Sequence, residues 1–234
     1  MNTSVQSISL VGLLAAFAPV GIVILILKHW ALGAKTALYA VARMFIQLLL
    51  IGYVLTYIFE AKHAGIITGV LAIMLLTASW IALRPLQKKE PHVYGKVLGA
   101  ILFGGVPVLV LVTQIVLEVQ PWFLPRYVVP LAGMIFASCM NTVSLAAERY
   151  QAELDRAASY IEARNAAFHS SLIPVTNSLL AVGLVSLPGM MTGQILSGVS
   201  PVIAAKYQMV VMCMIFGASG ISAALYLILA GWRR

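Results

Sequence analysis

Charged residues are scarce in this sequence of 234 residues, and acidic residues are the scarcest of them. Only 9% of the chain is charged, with 7 Asp and Glu against 15 Lys and Arg. Because a soluble domain carries about 25% charged residues, this composition excludes a globular protein with a water-covered surface. Hydrophobic residues make up 62% of the chain, and its mean hydropathy is +0.99. The composition therefore predicts an all-α, polytopic membrane protein surrounded mostly by lipid.

Several motifs are also absent from the sequence. No carboxylate lies within an apolar stretch, whereas proton- and sodium-coupled transporters usually carry one. There is no G-x-x-x-x-G-K-[ST] phosphate loop, so we expect no ATP hydrolysis by this chain itself. The 4 histidines lack paired metal-ligand spacing, and no acid/base or nucleophile cluster indicates an enzyme. The basic residues fill short gaps between apolar runs, which argues against nucleic-acid binding.

Long apolar runs are what the sequence does contain, and a run of about 20 residues crosses a bilayer as a helix. Seven candidate spans cover residues 8–27, 37–59, 64–83, 97–117, 128–146, 172–187 and 207–230. The region 170–205 has no charge but is interrupted by Pro188, Gly189 and Pro201. We expect one span there, followed by a broken or re-entrant piece around Pro188. Such a backbone is tolerated at membrane depth only where protein or a water-filled cavity satisfies it.

The basic residues orient the predicted spans. Seven spans place the termini on opposite sides of the membrane. One side holds Lys28, Lys35, Arg84, Lys88, Lys89, Lys96, Arg149, Arg156, Arg164, Arg233 and Arg234, and the other holds Lys62, Arg126 and Lys206. Cytoplasmic loops are the ones rich in Lys and Arg, so the N-terminus is expected outside and the C-terminus in the cytoplasm.

The cytoplasmic segment, residues 147–171, is the one predicted loop of substantial size, and it holds four of the 7 acidic residues. Apolar residues at helical spacing within it predict an amphipathic helix. Ser159 and Glu162 fit a capping box, which predicts a break near Ser159 and a second helix from Tyr160 towards Pro174. Three interpretations stay open: a solvated connector, a helix lying on lipid, and a docking surface for a soluble partner.

A few polar groups lie inside the predicted spans. Arg43 and Gln47 are four residues apart and share a helix face. Arg43 either snorkels to the headgroups, forms a structural pair, or contacts a substrate. For other polar side chains the ordinary role is to hydrogen-bond between helices; they are Gln114, Asn141, Asn177 and Gln194. The 10 methionines suit both a soft metal and ordinary packing, and Met190 and Met191 stand out because they lie in the broken piece.

Several segments resemble a known family. The run LVSLPGMMTGQILSGVSP at 184–201 resembles the signature of the FetB-type permeases. These are membrane subunits of bacterial ABC transporters linked to iron export, with plant relatives linked to aluminium tolerance. The stretches 41–55, 130–145, 172–184 and 207–214 also fit, so the resemblance covers nearly the whole chain in order.

The resemblance implies a single permease domain over 1–234 in the bacterial inner membrane. Such a permease pairs with a separate ABC ATPase subunit that uses the ATP, and with a second permease copy, while binding no cofactor itself. The cytoplasmic segment would then carry the coupling helix. Implied substrate-path residues are Arg43, Gln47, Asn141, Asn177, Pro188, Gly189, Met190, Met191 and Gln194. Implied ATPase contacts are Glu153, Asp155, Arg156, Ser159 and Glu162. The alternatives are a stand-alone secondary transporter or channel, and a membrane scaffold without transport.

Overall fold

Helices make up all the regular structure in a computed structural model that describes residues 9–61, 63–86 and 91–231. By their internal contacts the residues divide into two units, Met1–Glu60 and Ala61–Arg234. The expectation of one permease domain stays a prediction. Some charges used in the orientation prediction lie outside the described residues: Lys62, Lys88, Lys89, Arg233 and Arg234.

The first unit consists of α1 (Leu10–Ala16), α2 (Ala18–His29) and α3 (Ala34–Phe59). The Ser9 side chain caps α1 by accepting a hydrogen bond from the Gly12 amide at 3.1 Å. A proline in the first turn of α2 suits a position where the backbone N–H has no helical partner. Gly33 adopts a left-handed conformation, with φ at 73°, and so permits the sharp turn into α3.

The second unit is a helical bundle. Its elements are α4 (Ala64–Ala82), α5 (Pro91–Val110) with a π-helical continuation (Leu111–Val116), α6 (Pro125–Asp155), α7 (Tyr160–Ala181), α8 (Gly189–Leu196) and α9 (Pro201–Gly231). Helix α6 is central and packs against α4, α5, α7 and α9. Its buried side chains recur every three or four residues, as one helix face requires; they include Ile135, Cys139, Val143 and Ala146.

Small residues allow the helices of this bundle to approach closely. A Cβ added to Gly104 of α5 would meet the backbone of Ser222 on α9, and one added to Gly105 would meet Ile135 at 3.0 Å. The Ser138 and Ser219 hydroxyls link α6 to α9 with a hydrogen bond of 2.7 Å. Close packing and interhelical hydrogen bonds are the forces that hold helices together in lipid, where the hydrophobic effect does not distinguish lipid from protein.

Among the described residues, six helical stretches are long and apolar enough to cross a membrane, when α1 is taken together with α2 and α5 with its π-helical continuation. They are Val11–His29, Ala34–Phe59, Ala64–Ala82, Pro91–Val116, Pro125–Asp155 and Pro201–Gly231. The predicted span at 172–187 is not one of them. Helix α7 ends at Ala181, because the chain turns at Gly183, where φ is 83°. The Ala181 carbonyl accepts hydrogen bonds from the amides of Val185 and Ser186. The number of spans and the positions of the termini stay predictions.

The break expected around Pro188 is present. Pro188 is the N-cap residue of the short helix α8, and the left-handed Gly198 follows its end. Proline lacks the amide that would continue a helix, and glycine tolerates a positive φ. The chain therefore leaves α7, forms the eight-residue α8 against α9, and starts α9 at Pro201.

The capping box predicted within residues 147–171 is also confirmed. The Ser159 side chain accepts from the Glu162 amide, and Glu162 Oε2 accepts from the Ser159 amide at 2.9 Å. Helix α6 ends just before, at Asp155, and Ala157 in the turn has a φ of 61°. Helix α7 starts at Tyr160 as predicted and continues past Pro174.

Candidate functional site

A cavity of about 480 Å³ lies between α6, α7, α8 and α9, and we call it the main cavity. Its wall combines hydroxyl, amide, thioether and apolar groups, and none of its lining residues is charged. The polar and sulfur-containing ones are Met134, Ser138, Asn141, Thr142, Ser171, Ser178, Ser186, Met190, Gln208 and Met212. A cavity of this size and composition suits a small ligand held by a few polar groups.

A second cavity, of about 390 Å³, adjoins the main cavity, and we call it the side cavity. Met134, Met190 and Val211 line both. The side cavity has one charged lining residue, Arg126, and one amide, Gln194. The shared methionines thus stand where the two cavities meet.

Several hydroxyls of the main cavity already donate their protons to helix carbonyls. Thr142 Oγ1 donates to the Ser138 carbonyl at 3.0 Å, Ser171 Oγ to Phe168 at 2.9 Å, and Ser178 Oγ to Pro174 at 3.0 Å. A hydroxyl bound in this way keeps its oxygen lone pairs free as acceptors. These oxygens are therefore suited to accept from a donor or to contact a cation.

Gln208 is a buried amide in the wall of the main cavity, with 5% of its surface exposed. Its Oε1 has no hydrogen-bond partner among the described residues, and neither has Oε1 of Gln194 on the side cavity. Leaving a buried acceptor unpaired costs about 1–3 kcal/mol. Two such oxygens along adjoining cavities are suited to a ligand or ordered water.

The sequence-predicted path residues are placed in three different ways. Asn141, Pro188, Gly189 and Met190 line the main cavity, and Gln194 lines the side cavity together with Met190. The other two of this unit line neither cavity: Asn177 is exposed and Met191 is half-buried. Their roles stay predictions.

Arg43 and Gln47 belong to α3, in the first unit. With the Gln47 amide turned so that its oxygen faces Arg43, that oxygen accepts from Arg43 Nε at 3.1 Å and from Nη2 at 3.3 Å. Arg43 therefore has a structural partner one helical turn away, as their spacing predicts. A contact with substrate stays a prediction.

Sequence reasoning missed Gln208, Met134, Met212 and the cavity serines. Gln208 carried a signal, because it is an amide near the start of an otherwise apolar stretch. The serines carried none, and the methionines suited ordinary packing as well as a soft metal, since both residue types are common packing residues of membrane helices. Only the packing of four helices brings them to one cavity.

The predicted ATPase-contact residues fall at the turn between α6 and α7, and most have partners within the chain. Glu153 forms ion pairs with Arg149 and Arg156, and 16% of its side chain is exposed. Asp155 Oδ1 accepts from Gln151 Nε2 at 2.7 Å. The Arg156 side chain is 71% exposed, so it is the charge at this turn best placed to meet another protein.

The capping box also sets the ionisation of Glu162. Hydrogen bonds from the Ser159 hydroxyl and then from the Ser159 amide lower the pKa of Glu162 below its ordinary range. Both bonds favour the charged carboxylate. The box therefore holds a negative charge at the start of α7, where it also interacts favourably with the helix dipole.

Tyr160 ties this turn to the rest of the bundle. Its ring lies directly against Gly231 of α9, and its hydroxyl donates to the Leu227 carbonyl at 3.4 Å. It also makes an edge contact with Tyr150 of α6, with ring centroids 6.3 Å apart, and Arg164 lies over its face. Tyr160 therefore links the start of α7 to α9, the helix that carries Gln208 and Met212.

Comparison with known proteins identifies the family to which this chain belongs. A model described as "Uncharacterised protein family (UPF0014)" matches residues 10–233. The chain is 35% identical over 195 residues to "UPF0014 membrane protein slr1647" of Synechocystis, which covers 76% of this chain and 74% of that protein. No solved structure matches it.

Two further relatives carry more informative names. The chain is 32% identical over 204 residues to "Probable iron export permease protein FetB" of Escherichia coli, covering 80% of this chain and 77% of that protein. It is 33% identical over 203 residues to "Protein ALUMINUM SENSITIVE 3" of Arabidopsis thaliana, covering 80% of this chain and 72% of that protein. The chain therefore belongs to the UPF0014 family of membrane proteins, which includes a probable iron export permease.

Proposed function

We propose that this chain is the permease subunit of an ABC transporter that exports iron or a related metal, driven by a separate ATPase subunit. One observation carries the proposal: the main cavity and the α6–α7 turn are built on the same two helices. Thr142 lies at the cavity and Asp155 ends the same helix. Thirteen residues at 1.5 Å each span about 20 Å, so α6 links the two places as a rigid rod.

The main cavity is the proposed substrate site. Asn141, Met190 and Gln208 are proposed to contact the substrate, and the Pro188–Gly189 break is proposed to gate it. Discontinuous helices commonly border the substrate sites of membrane transporters, because freed backbone carbonyls can meet a cation. Asn177, Met191 and Gln194, as well as Arg43 and Gln47, are proposed to line or brace the path. The iron assignment comes from the name of the Escherichia coli relative.

The α6–α7 turn is the proposed ATPase contact, with Arg156 as its exposed charge. Glu153, Asp155, Ser159 and Glu162 are proposed to hold the turn in shape. In this proposal two permeases and two ATPases assemble in the bacterial inner membrane. Seven spans place the N-terminus outside and the C-terminus, with this turn, on the cytoplasmic side.

A reconstitution tests the proposal against a stand-alone transporter. The permease, alone or with the proposed ATPase subunit, is placed in sealed vesicles, and movement of iron is followed with and without ATP. We expect movement only with both subunits and ATP, and none when the ATPase carries a change in its phosphate-binding lysine. Equal movement by the permease alone would refute the ABC assignment in favour of a channel or secondary transporter.

A further inference from the structure

We propose that the main cavity binds a soft, singly charged metal cation through the thioether sulfurs of Met134, Met190 and Met212. As a statement about transported cargo, the inference rests on the proposed function; as a statement about binding, it stands on the cavity alone. It names a ligand class that neither the family description nor the names of the relatives include.

The three methionines reach the cavity from three different helices. Met134 lies on α6, Met190 on the short helix α8 and Met212 on α9, and all three are half-buried. Met134 and Met190 also line the side cavity. Convergence from separate helices is the arrangement by which bundles build ligand sites from facing side chains.

The chemistry of the wall favours a soft cation. Thioether sulfur is a polarizable ligand without charge, and such ligands select Cu(I)-like ions. Hard cations select carboxylates, and no carboxylate lines either cavity. Within the described residues there is also no cluster of three or more His, Cys, Asp or Glu that could hold a metal. In this proposal the oxygens of Gln208 and Thr142 interact with the cation more weakly than the three sulfurs do, and from a greater distance.

The charge of the wall favours a single positive charge. The cost of taking an ion from water into a medium of low dielectric rises with the square of its charge, and nearby opposite charges normally offset that cost. The main cavity offers none, and the adjoining side cavity presents the positive charge of Arg126. Among bare metal ions, a singly charged one therefore costs least to place there.

Ordinary packing is the competing explanation for these methionines, and the chain supplies matched controls. Met191 follows Met190 on the same helix and lines neither cavity, and Met209 on α9 is 65% exposed and lines neither. Methionine to leucine keeps volume and hydrophobicity, so it preserves the fold while removing the sulfur. A packing role predicts no difference between the cavity methionines and the controls.

The experiment measures silver(I), as a redox-inert probe, and Cu(I) binding to the purified permease in detergent without ATPase. With the exposed thiol of Cys213 replaced by serine in every variant, we expect one site per chain and sulfur scattering around bound Cu(I) in X-ray absorption. Loss of an outer-shell partner already costs about 10- to 100-fold in metal affinity. We therefore expect about tenfold or greater loss for each of Met134→Leu, Met190→Leu and Met212→Leu, and wild-type affinity for Met191→Leu and Met209→Leu.

Two results would overturn the proposal: no silver(I) binding by wild-type protein, or equal losses in the cavity and control variants. Thermal unfolding of each variant separates loss of a ligand from loss of fold. Binding without any ATP-driven metal movement in vesicles would refute the proposed function and leave the site standing. ATP-driven iron movement by a permease that does not bind silver(I) would refute the site alone.

Discussion

Gly104 of α5 lies directly against the backbone of Ser222 on α9: a Cβ at Gly104 would stand 2.7 Å from the Ser222 nitrogen and 2.8 Å from its Cα. Gly104→Ala therefore forces the two helices apart. We expect it to lower the free energy of unfolding by about 1–3 kcal/mol, the usual cost of overpacking. The unfolding midpoint of purified protein in detergent is the measurement.

Gly95→Ala, on the same helix, is the matched control, because nothing lies within 4 Å of a Cβ there. It should leave the midpoint unchanged or raise it slightly, since alanine favours a helix. Equal midpoints for the two variants would show that α5 and α9 are not packed as closely as described.

The capping box makes a prediction about the start of α7. Ser159→Ala removes the acceptor for the Glu162 amide, and loss of such a cap costs about 1 kcal/mol of helix stability. We expect faster hydrogen exchange of the backbone amides in the first turn of α7, with no change in α9. Ser159→Asp retains an acceptor and should exchange nearly as wild type; if Ser159→Ala also matches wild type, the box contributes nothing.

The lowered pKa of Glu162 gives this stabilisation a pH dependence. A carboxyl group whose pKa is lower in the folded state stabilises that state above its unfolded pKa, about 4.3 for glutamate, and the stabilisation is lost as the pH falls through the folded pKa. Wild type should therefore protect the first turn of α7 better than Glu162→Gln at pH 7. This difference should shrink as the pH falls below 4.3, with rates corrected for intrinsic exchange. A difference that stays constant would contradict the assigned cause.

Arg156 is expected to be the charge through which the α6–α7 turn meets the ATPase. Arg156→Glu should abolish co-purification of the ATPase while leaving the permease in the membrane. Lys206→Glu is the control: it is also an exposed charge reversal, but on the side predicted to face outwards, and should have no effect on co-purification.

Reversal of both Glu153 and Asp155 should also abolish co-purification of the ATPase, partly by breaking the pairs with Arg149 and Gln151. Normal co-purification by all these variants would remove the docking proposal.

A substitution at Arg43 tests whether this residue takes part in the substrate path or only anchors its helix at the headgroups. Arg43→Gln keeps a polar side chain but removes the charge and the donors that Gln47 accepts. If Arg43 lines or braces the path, ATP-driven transport in vesicles should fall severalfold while the amount of folded permease stays the same. Full transport would make Arg43 a snorkelling anchor only. Gln47→Leu shows whether the pair, or Arg43 alone, matters.

Hydropathy located the apolar stretches but not the ends of the helices. The prediction of a span at 128–146 stopped where charge begins, whereas α6 continues to Asp155, because a helix can leave the membrane and continue until it is capped. The turn at Ser159 was predictable, since a capping box is a local pattern. The early end of α7 was not, because it depends on the hydrogen bonds around Gly183 and Ala181.

The residues of the candidate site also divide into those that the sequence could predict and those that it could not. Asn141, Met190 and Gln194 were predictable as polar or sulfur-containing groups in apolar or broken stretches, and they do line cavities. Ser178 and Met212 were not, because nothing local distinguishes them from packing residues. Their position facing the same cavity follows from the packing of α7, α8 and α9 around α6, which depends on contacts far apart in sequence.

Iron retained by cells tests the central claim most directly. Strains lacking this gene, the gene of the proposed ATPase subunit, or both are loaded with iron, and the iron left after a chase is compared with wild type. An ATP-driven iron exporter predicts that each single deletion raises retained iron equally and that the double deletion adds nothing further. Unchanged iron in all three deletion strains would contradict the account.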